Sequence, residues 1–415
     1  MGEYRDLVTY EEENLELAFR DNNYECNKSH VKVDVKREFR DGKWKIISCQ
    51  GCDVNSLTYL QTLNLVQSNE LSYDLSEVEF YVGSISLGEP LHGVVKLLKS
   101  ASDVCNELRA TAVERCEVII NVRNYRKSIM RDFGEASEGK AIVEFIVGVV
   151  SKLGKYGYGG LYRAFIARSN LIDDALVDRL IREAYRKSLI SCRSKALNPI
   201  NIGRHFMILK SEASAAFIHE VSHLLEVTAI NKLNLGSKVG PDDFHLCDAP
   251  HEPSSPTIRL FDDEGVSTVR RSLIEGGLIT DYHHTISTAW RYNSIAGSAY
   301  GLYHPPIPFH TTLVMKPGDW RDDEIIAETK KGFVIEDIVM ANVSDSYIRI
   351  VPERAAYVEG GEIKEFVKLN EVKIPIRKIS TLSAISKSQV LRVGYEKNFL
   401  VAELAPTIKV EGYVS

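Results

Sequence analysis

The hydrophobic and polar positions of the first hundred residues predict a mixed α+β unit. Apolar and polar side chains alternate over residues 30–39 and 43–48, which is typical of two strands, and Asp41-Gly42 between them is a strong hairpin signal. A third strand is predicted over residues 77–86. Helical spacing predicts helices over residues 10–20, 55–68 and 91–110, the last of them packing on the strands.

The middle of the chain continues with strand-like runs at residues 116–122 and 141–150. The glycine-rich run at residues 154–160 lacks the GK[ST] of a phosphate loop, so we predict a flexible turn there. Apolar residues at helical spacing predict an amphipathic helix over residues 171–191. The segment 196–203, with its proline and asparagines, is interpreted as a linker.

The last part of the chain is predicted to be rich in β-structure. A strand at residues 205–210 leads through Ser211, a good N-cap, into an apolar helix that Gly236, Gly240 and Pro241 stop. The turn Glu275-Gly276-Gly277 predicts a hairpin. The pattern as a whole predicts an α+β protein with three domains, at residues 1–110, 111–197 and 198–415.

Composition excludes several classes of protein. The 415 residues suffice for two or three domains, and 44% hydrophobic with 26% charged residues is typical of a soluble globular protein. A net charge of −6 gives no general affinity for nucleic acid or anionic lipid. The longest apolar run, residues 142–150, is too short to span a bilayer, and the first residues lack the pattern of a signal peptide. We therefore expect a cytoplasmic protein.

The seven cysteines are scattered over the first 247 residues. With no secretion signal, this distribution indicates reduced thiols. Cys49-Gln50-Gly51-Cys52 is a single CxxC pair, whereas a zinc ribbon needs a second pair. We interpret these cysteines as ordinary thiols.

The clearest chemical signal is His219-Glu220-Val221-Ser222-His223, inside an apolar stretch with helical character. Histidines four residues apart lie one above the other on a helix, so one zinc ion can take both. The glutamate after the first histidine can accept a proton from a metal-bound water. This is the HExxH spacing of many zinc peptidases. The alternative is a core helix whose histidines bond to backbone carbonyls.

A third metal ligand is not evident from the spacing. A metzincin would need glycine and histidine where Glu226 and Ala229 stand, which excludes that class. Glu226 shares the face of the two histidines, so it is a candidate to orient an imidazole or to bind the metal. Asp243 has a spacing compatible with a third ligand, but it lies in a predicted loop. Just beyond it lies a cluster of possible metal ligands, His245, Cys247 and His251. We favour the interpretation that this cluster is a simple polar loop.

Other polar motifs have two interpretations. Asp262-Asp263-Glu264-Gly265 is either an acidic site or, as we expect, a solvated turn before a strand. His283 and His284 are adjacent, so their side chains point apart and make poor joint ligands.

Several pieces in order resemble the TldD/PmbA family of zinc-dependent peptidases. They are FIHEVSHLLE at residues 217–226, Asp262-Asp263-Glu264-Gly265, the hairpin at residues 271–282, the HPPIP segment at 304–308, Met315-Lys316-Pro317-Gly318, the tail APTIKV at 405–410 and, earlier, RDGKW at 40–44. The resemblance covers most of the chain and is strongest over residues 205–320.

The resemblance implies an N-terminal α/β region, a small middle domain and a large β-rich C-terminal domain that carries the HExxH helix. It implies a peptidase that cleaves unfolded peptides in an enclosed cleft. His219 and His223 would bind zinc and Glu220 would act as general base. Members form dimers, so the resemblance implies a homodimer or a heterodimer with a TldE/PmbA-like paralogue, with no nucleic-acid or membrane partner.

Three positions depart from the family pattern. The family motif is usually HExxxH, whereas this chain has HExxH, a spacing that suits a regular helix. The family's third ligand is a cysteine near the C-terminus, but no cysteine follows Cys247, which leaves the third ligand unassigned. Phe309 stands where members commonly carry an arginine. The missing cysteine supports the alternative function of a non-catalytic TldE/PmbA-like subunit that shapes a peptide-binding cleft.

Overall fold

The computed structural model describes residues 4–40, 43–51, 54, 75, 78–344 and 346–415. Two sequence predictions, the turn Asp41-Gly42 and the helix at 55–68, lie outside the described residues. The structure is α+β, and its C-terminal part is the larger and richer in strands, which confirms the predicted fold class.

The N-terminal part is a sheet with two helices packed on it. Its elements are β1 (Tyr4–Arg20), β2 (Asn23–Arg40), β3 (Lys43–Gln50), β4 (Gly83–Leu87), α1 (Val94–Arg109), β5 (Val113–Arg131), β6 (Gly134–Leu153), β7 (Lys155–Ile166) and α2 (Asp174–Arg193). The described strands form a seven-stranded sheet in the order β3-β2-β1-β5-β6-β4, and β7 also pairs with β6. This sheet takes strands from both sides of residue 110. The division of the chain into three domains stays a prediction.

Two predictions in this part are wrong. The helix expected over residues 10–20 is part of β1, which pairs along its length with β2 and β5. Leu15, Leu17 and Phe19 are every second residue of this strand and pack in the same core as α1. Their hydrophobic pattern therefore repeats every two residues, as in a strand, and not with the helical period. The glycine-rich run at 154–160, expected as a turn, is mostly strand: Gly154 lies between β6 and β7, but residues 155–160 belong to β7, where Gly157 and Gly159 let α2 lie directly against the strand.

The C-terminal part is built around a second sheet. Its elements are β8 (Lys195–Ala196), a 3₁₀-helix (Pro199–Asn201), β9 (Gly203–Leu209), α3 (Ser211–His223), β10 (Leu246–Asp248), β11 (Arg271–Glu275), β12 (Leu278–Ile279), α4 (Ile286–Tyr292), β13 (Ala299–Tyr300), β14 (Ile307–Pro308), β15 (Thr312–Met315), α5 (Asp322–Glu328), β16 (Lys331–Ser344), β17 (Tyr347–Glu359), β18 (Glu362–Lys368), β19 (Val372–Pro375), a 3₁₀-helix (Ile376–Thr381), β20 (Ala384–Glu396) and β21 (Phe399–Val414).

The described strands of this part form a twelve-stranded sheet in the order β12-β11-β10-β15-β21-β9-β16-β17-β18-β8. β19 pairs with β17 and β21, and β20 pairs with β21. β21 therefore lies in the interior of the sheet, parallel to β15 and antiparallel to β9. The predicted strand at 205–210 and the β11–β12 hairpin are both present. α3 begins at Ser211 but ends at His223, well before the predicted stop signals.

One pair of cysteines differs from the expectation drawn from the sequence. Cys105 of α1 and Cys116 of β5 form a disulfide, with Cα atoms 5.6 Å apart, so the expectation of reduced thiols fails for this pair. The packing of α1 on β5 brings the two cysteines together. Among the helices that the structure describes, none is long and apolar enough to cross a membrane.

Candidate metal centre

Helix α3 places the HExxH residues inside the core of the C-terminal part. Its alanines favour helix, and it contains no glycine or proline. Phe217, Ile218 and Val221 are fully buried in the same core cluster. His219 and Glu220 are only 7% and 6% exposed. Polar groups buried this deeply need polar partners.

His219 has such a partner in the last strand. Its Nδ1 lies 2.6 Å from Oε1 of Glu403 on β21, a carboxylate that is completely buried. The other oxygen of Glu403 accepts a hydrogen bond of 3.0 Å from Arg392 on β20. Although burial opposes ionisation, Arg392 and His219 hold the pKa of Glu403 far below its usual value. Glu403 is therefore a permanent anion that fixes the His219 ring.

His223 is likewise held by a carboxylate, that of Glu226. Its Nδ1 lies 2.6 Å from Oε1 of Glu226, just beyond the end of α3. Burial lowers the pKa of His223, but the hydrogen bond and charge of Glu226 outweigh it and raise the pKa. Lys397 lies 3.5 Å from Glu226 and also over the ring of Phe309, 4.7 Å from its centroid.

The two imidazoles thus present the arrangement that metal-binding histidines commonly have. A carboxylate accepts a hydrogen bond from Nδ1 of each ring, which leaves the lone pair of Nε2 available to a metal ion. Among the described residues, neither Nε2 has a hydrogen-bond partner. The ring centroids are 4.9 Å apart, and one donor atom of each of His219, Glu220 and His223 lies within 4.8 Å of the others. The donor set fits a zinc-type ion.

Glu220 borders an open space beside the helix. A cavity of about 380 Å³ is lined by Glu220 and His219, by Arg392 and Gly394 of β20, and by Ile338 of β16, among others. Burial raises the pKa of Glu220, against the lowering effect of the two histidines. A carboxylate with a raised pKa next to two metal-type donors is suited to act as a proton acceptor and donor.

The structure does not bring the His245–His251 cluster to α3. His245 accepts a hydrogen bond from Gly276 N, His251 bonds to Thr268, and Cys247 lies against Val314. Asp243 is exposed and in a turn. Within the described part of the chain, none of these four belongs to a group of three metal-type donors.

Sequence reasoning missed two residues of this site. Glu403 and His310 form a second donor group with His219, all three buried. His310 Nε2 lies 3.5 Å from Glu403 and its Nδ1 lies 3.2 Å from Ser222, while burial lowers its pKa to about 4. The available signal was the single charge of Glu403 within the apolar run Phe399-Leu-Val-Ala-Glu-Leu-Ala405, since such a charge requires a buried partner.

The acidic motif is not a solvated turn, so that prediction is wrong. Asp262, Asp263 and Glu264 are 1%, 5% and 0% exposed. Asp262 accepts hydrogen bonds from the backbone of its own turn and of Ala299. Glu264 accepts from Trp44 of β3, which ties the N-terminal sheet to this segment. The motif is part of the buried framework between the two parts of the chain.

The sequence is similar to a known family and to several named proteins. The sequence model described as the PmbA/TldA metallopeptidase C-terminal domain matches residues 203–413. A metalloprotease from Methanocaldococcus jannaschii is 28% identical over 233 residues, 52% of this chain and 51% of that protein. A metalloprotease from Archaeoglobus fulgidus is 23% identical over 177 residues, 40% of this chain and 41% of that protein. The chain spans about half the length of these relatives or less.

Solved structures agree over the whole chain. The crystal structure of TldE from Thermococcus kodakarensis superposes with a TM-score of 0.71 at 16% identity, covering 100% of this chain and 96% of that one. At this identity the likeness concerns the fold. Because the family model matches half of the chain, residues 203–413, this protein belongs to the TldD/PmbA family.

Proposed function

We propose that this protein is a zinc-dependent peptidase of the TldD type, in which His219 and His223 bind the metal and Glu220 is the general base. The observation that carries the proposal is the pair of imidazoles on α3, each with Nδ1 held by a carboxylate and Nε2 free. The named metalloprotease relatives support the same class of reaction.

In the proposed hydrolysis each residue of the site has its own role. A zinc ion held by His219 and His223 would supply Lewis acidity to the scissile carbonyl and to the attacking water. Glu220 takes the proton of the attacking water and passes it to the leaving amine. Glu403 and Glu226 keep the rings of His219 and His223 in position throughout. The third protein ligand stays open: among the described residues, Glu220 groups with both histidines, whereas His310 and Glu403 group with His219 alone.

The proposed substrate is an extended, unfolded peptide. The cavity beside Glu220 is bordered by residues 338–341 of β16 and 392–396 of β20. An extended peptide can add to strand backbone by main-chain hydrogen bonds, largely independently of sequence. We further propose that the working form is a cytoplasmic dimer, either of this chain or with a TldE/PmbA-like paralogue, in keeping with the family.

Metal content and peptidase activity test this proposal together. The chain is purified alone and with a co-expressed paralogue, and bound zinc is measured by elemental analysis. We expect about one zinc per chain, lost in His219→Ala. Glu220→Ala should keep the zinc and lose hydrolysis of an unfolded peptide. Glu212→Ala, a change on the same helix outside the donor group, should keep the zinc.

Two outcomes revise or remove the proposal. Loss of zinc in Glu220→Ala would make Glu220 a ligand instead of the base. Absence of zinc from both wild-type preparations would contradict a metallopeptidase.

One observation favours the alternative of a non-catalytic subunit. Arg392 lines the same cavity as His219 and Glu220 and pairs with Glu403, so a cation already lies beside the donors. A positive charge there disfavours a bound metal. If wild-type protein lacks zinc but Arg392→Met binds it, the chain is a subunit that shapes the cleft.

A further inference from the structure

A second cavity lies between the N-terminal sheet and the C-terminal part. Its volume is about 290 Å³, close to the lower end of small-molecule sites, roughly 300–1,000 Å³. Residues from β1, β5 and β6 form one side, and residues 256–263, 300–304 and 395–400 form the other. None of His219, Glu220 and His223 lines it, so this cavity is distinct from the one beside Glu220.

The charged groups that line this cavity do not balance. Arg123 is paired with Glu12 at 2.8 Å, and Lys397 with Glu226 at 3.5 Å. The charged side chains that remain in the lining are three cations and two carboxylates: Lys127, Lys140, Arg259, Glu138 and Asp263. All five are buried. Within this part of the lining the cations outnumber the carboxylates by one, in a region of low dielectric where an excess charge is costly.

The contacts within this group show how the three cations share the two carboxylates. Asp263 is shared, since its Oδ1 lies 3.1 Å from Lys127 and also accepts from Arg259 Nη2. Lys140 is 3.6 Å from Glu138 and donates to the carbonyl of Ile258 at 2.5 Å. Burial, together with the neighbouring cations Lys127 and Arg259, lowers the pKa of Lys140 to about 8, although Glu138 acts to raise it.

Two buried polar atoms of this lining have no partner among the described residues. One is Nη1 of Arg259, a donor, and the other is Oε2 of Glu138, an acceptor. Arg259 is 7% exposed and Glu138 is 1% exposed. Leaving a buried donor or acceptor unpaired is costly, and more so when the group is charged. A ligand that offers both an anion and an N–H would satisfy them together.

We propose that this cavity binds an amino acid with a free α-carboxylate, either alone or as the C-terminal residue of a peptide. The carboxylate accepts hydrogen bonds from Arg259, and the N–H on the α-carbon donates to Glu138. The carboxylate supplies the missing negative charge. Several other lining residues are aromatic or apolar and suit an apolar side chain: Tyr125, Tyr300, Leu302, Phe399 and Leu400. A free amino acid and the C-terminus of a peptide both carry this chemistry.

Calorimetric titration of metal-free protein tests the site. A chelator is present throughout, so that binding of carboxylate to zinc cannot contribute. N-acetyl-L-leucine should bind, and N-acetyl-L-leucine amide, which lacks only the carboxylate, should bind at least tenfold more weakly. Equal binding of the two, or no binding of the acid at millimolar concentration, would overturn the proposal.

A third ligand, L-leucine, identifies the source of the carboxylate. Tighter binding than that of N-acetyl-L-leucine supports the site and assigns it to free amino acids. Weaker binding supports the site and assigns it to the end of a peptide chain.

Two lysine variants on β6 locate the binding. Lys140→Met removes a cation of the lining and should weaken binding of N-acetyl-L-leucine at least tenfold. Lys152→Met changes an exposed lysine of the same strand outside the cavity and should leave binding unchanged. If Lys140→Met fails to fold, Tyr303→Trp, at a partly exposed residue of the wall, should obstruct the cavity instead. Unchanged binding in a folded variant at either position would contradict the site.

Discussion

Each histidine of the candidate metal centre depends on one carboxylate, and the two carboxylates reach the site in different ways. Glu226 is three residues from His223 and comes with the end of the same helix. Glu403 is 184 residues from His219 and arrives on another strand. The local partner follows from helical spacing in the sequence, as His219, Glu220 and His223 do. The distant partner depends on the tertiary fold, which is why sequence reasoning missed it.

Glu403→Gln tests whether this distant carboxylate positions His219. Glutamine keeps the shape but removes the charge that holds Nδ1–H, so zinc affinity should fall by about 10–100-fold. The affinity is measured by competition with a chromogenic chelator.

The control for this change is Glu411→Gln on the same strand. Glu411 pairs with Arg204 and Lys378, and belongs to neither donor group of the described residues. Its substitution should leave zinc affinity unchanged. Equal affinities of wild type and Glu403→Gln would show that Glu403 does not position the ligand.

Among the elements, β7 shows what the hydrophobic pattern alone does not convey. Its glycines are typical of a turn, yet they lie in a strand because α2 crosses it closely. A Cβ on Gly159 would lie 2.1 Å from the carbonyl oxygen of Ala184 and 2.5 Å from Ser188 N. The requirement comes from the helix packed above, and nothing local in the sequence records it.

Gly159→Ala should therefore destabilise the protein, because helix and strand must separate to admit the methyl group. We expect a loss of about 1–3 kcal/mol, as for overpacked cores. Gly148→Ala on the neighbouring β6, whose Cβ would have its nearest contact at 3.6 Å, is the matched control. Melting temperatures of the two variants decide the point, and equal values would contradict the close packing.

For the whole molecule, the acidic motif joins the N-terminal sheet to the C-terminal part. Arg37 of β2 donates to the carbonyl of Asp263 at 2.6 Å, and Trp44 donates to Glu264 at 2.7 Å. The sequence predicted the α+β class, since patterns within each segment suffice for that. The pairing of β1 with β5, more than a hundred residues later, was beyond prediction because strand pairing across such a distance has no local signal.

The motif makes stability depend on pH. Burial and the charge of Asp262 raise the pKa of Glu264 from 4.5 to about 8. Between these values the folded protein binds a proton that the unfolded chain does not, so the contribution of Glu264 to stability falls as pH rises. Glu264→Gln cannot ionise and should lose this part of the pH dependence. Urea unfolding at pH 5.5 and 8.5 measures it.

Exposed Glu135, at the start of β6, provides the comparison for this experiment. Glu135→Gln should retain the wild-type difference between the two pH values. The same difference in Glu264→Gln would place the titrating group elsewhere.

The interior position of β21 in the C-terminal sheet has a consequence for biosynthesis. This strand leaves the ribosome after every other described strand, yet it pairs with β9, β15, β19 and β20 and carries the carboxylate that holds His219. Domains fold as their residues emerge, N-terminal first. The N-terminal sheet can therefore assemble early, whereas the histidines acquire their arrangement only after translation has passed residue 414. A growing polypeptide therefore cannot complete the candidate metal centre before β21 has been synthesised.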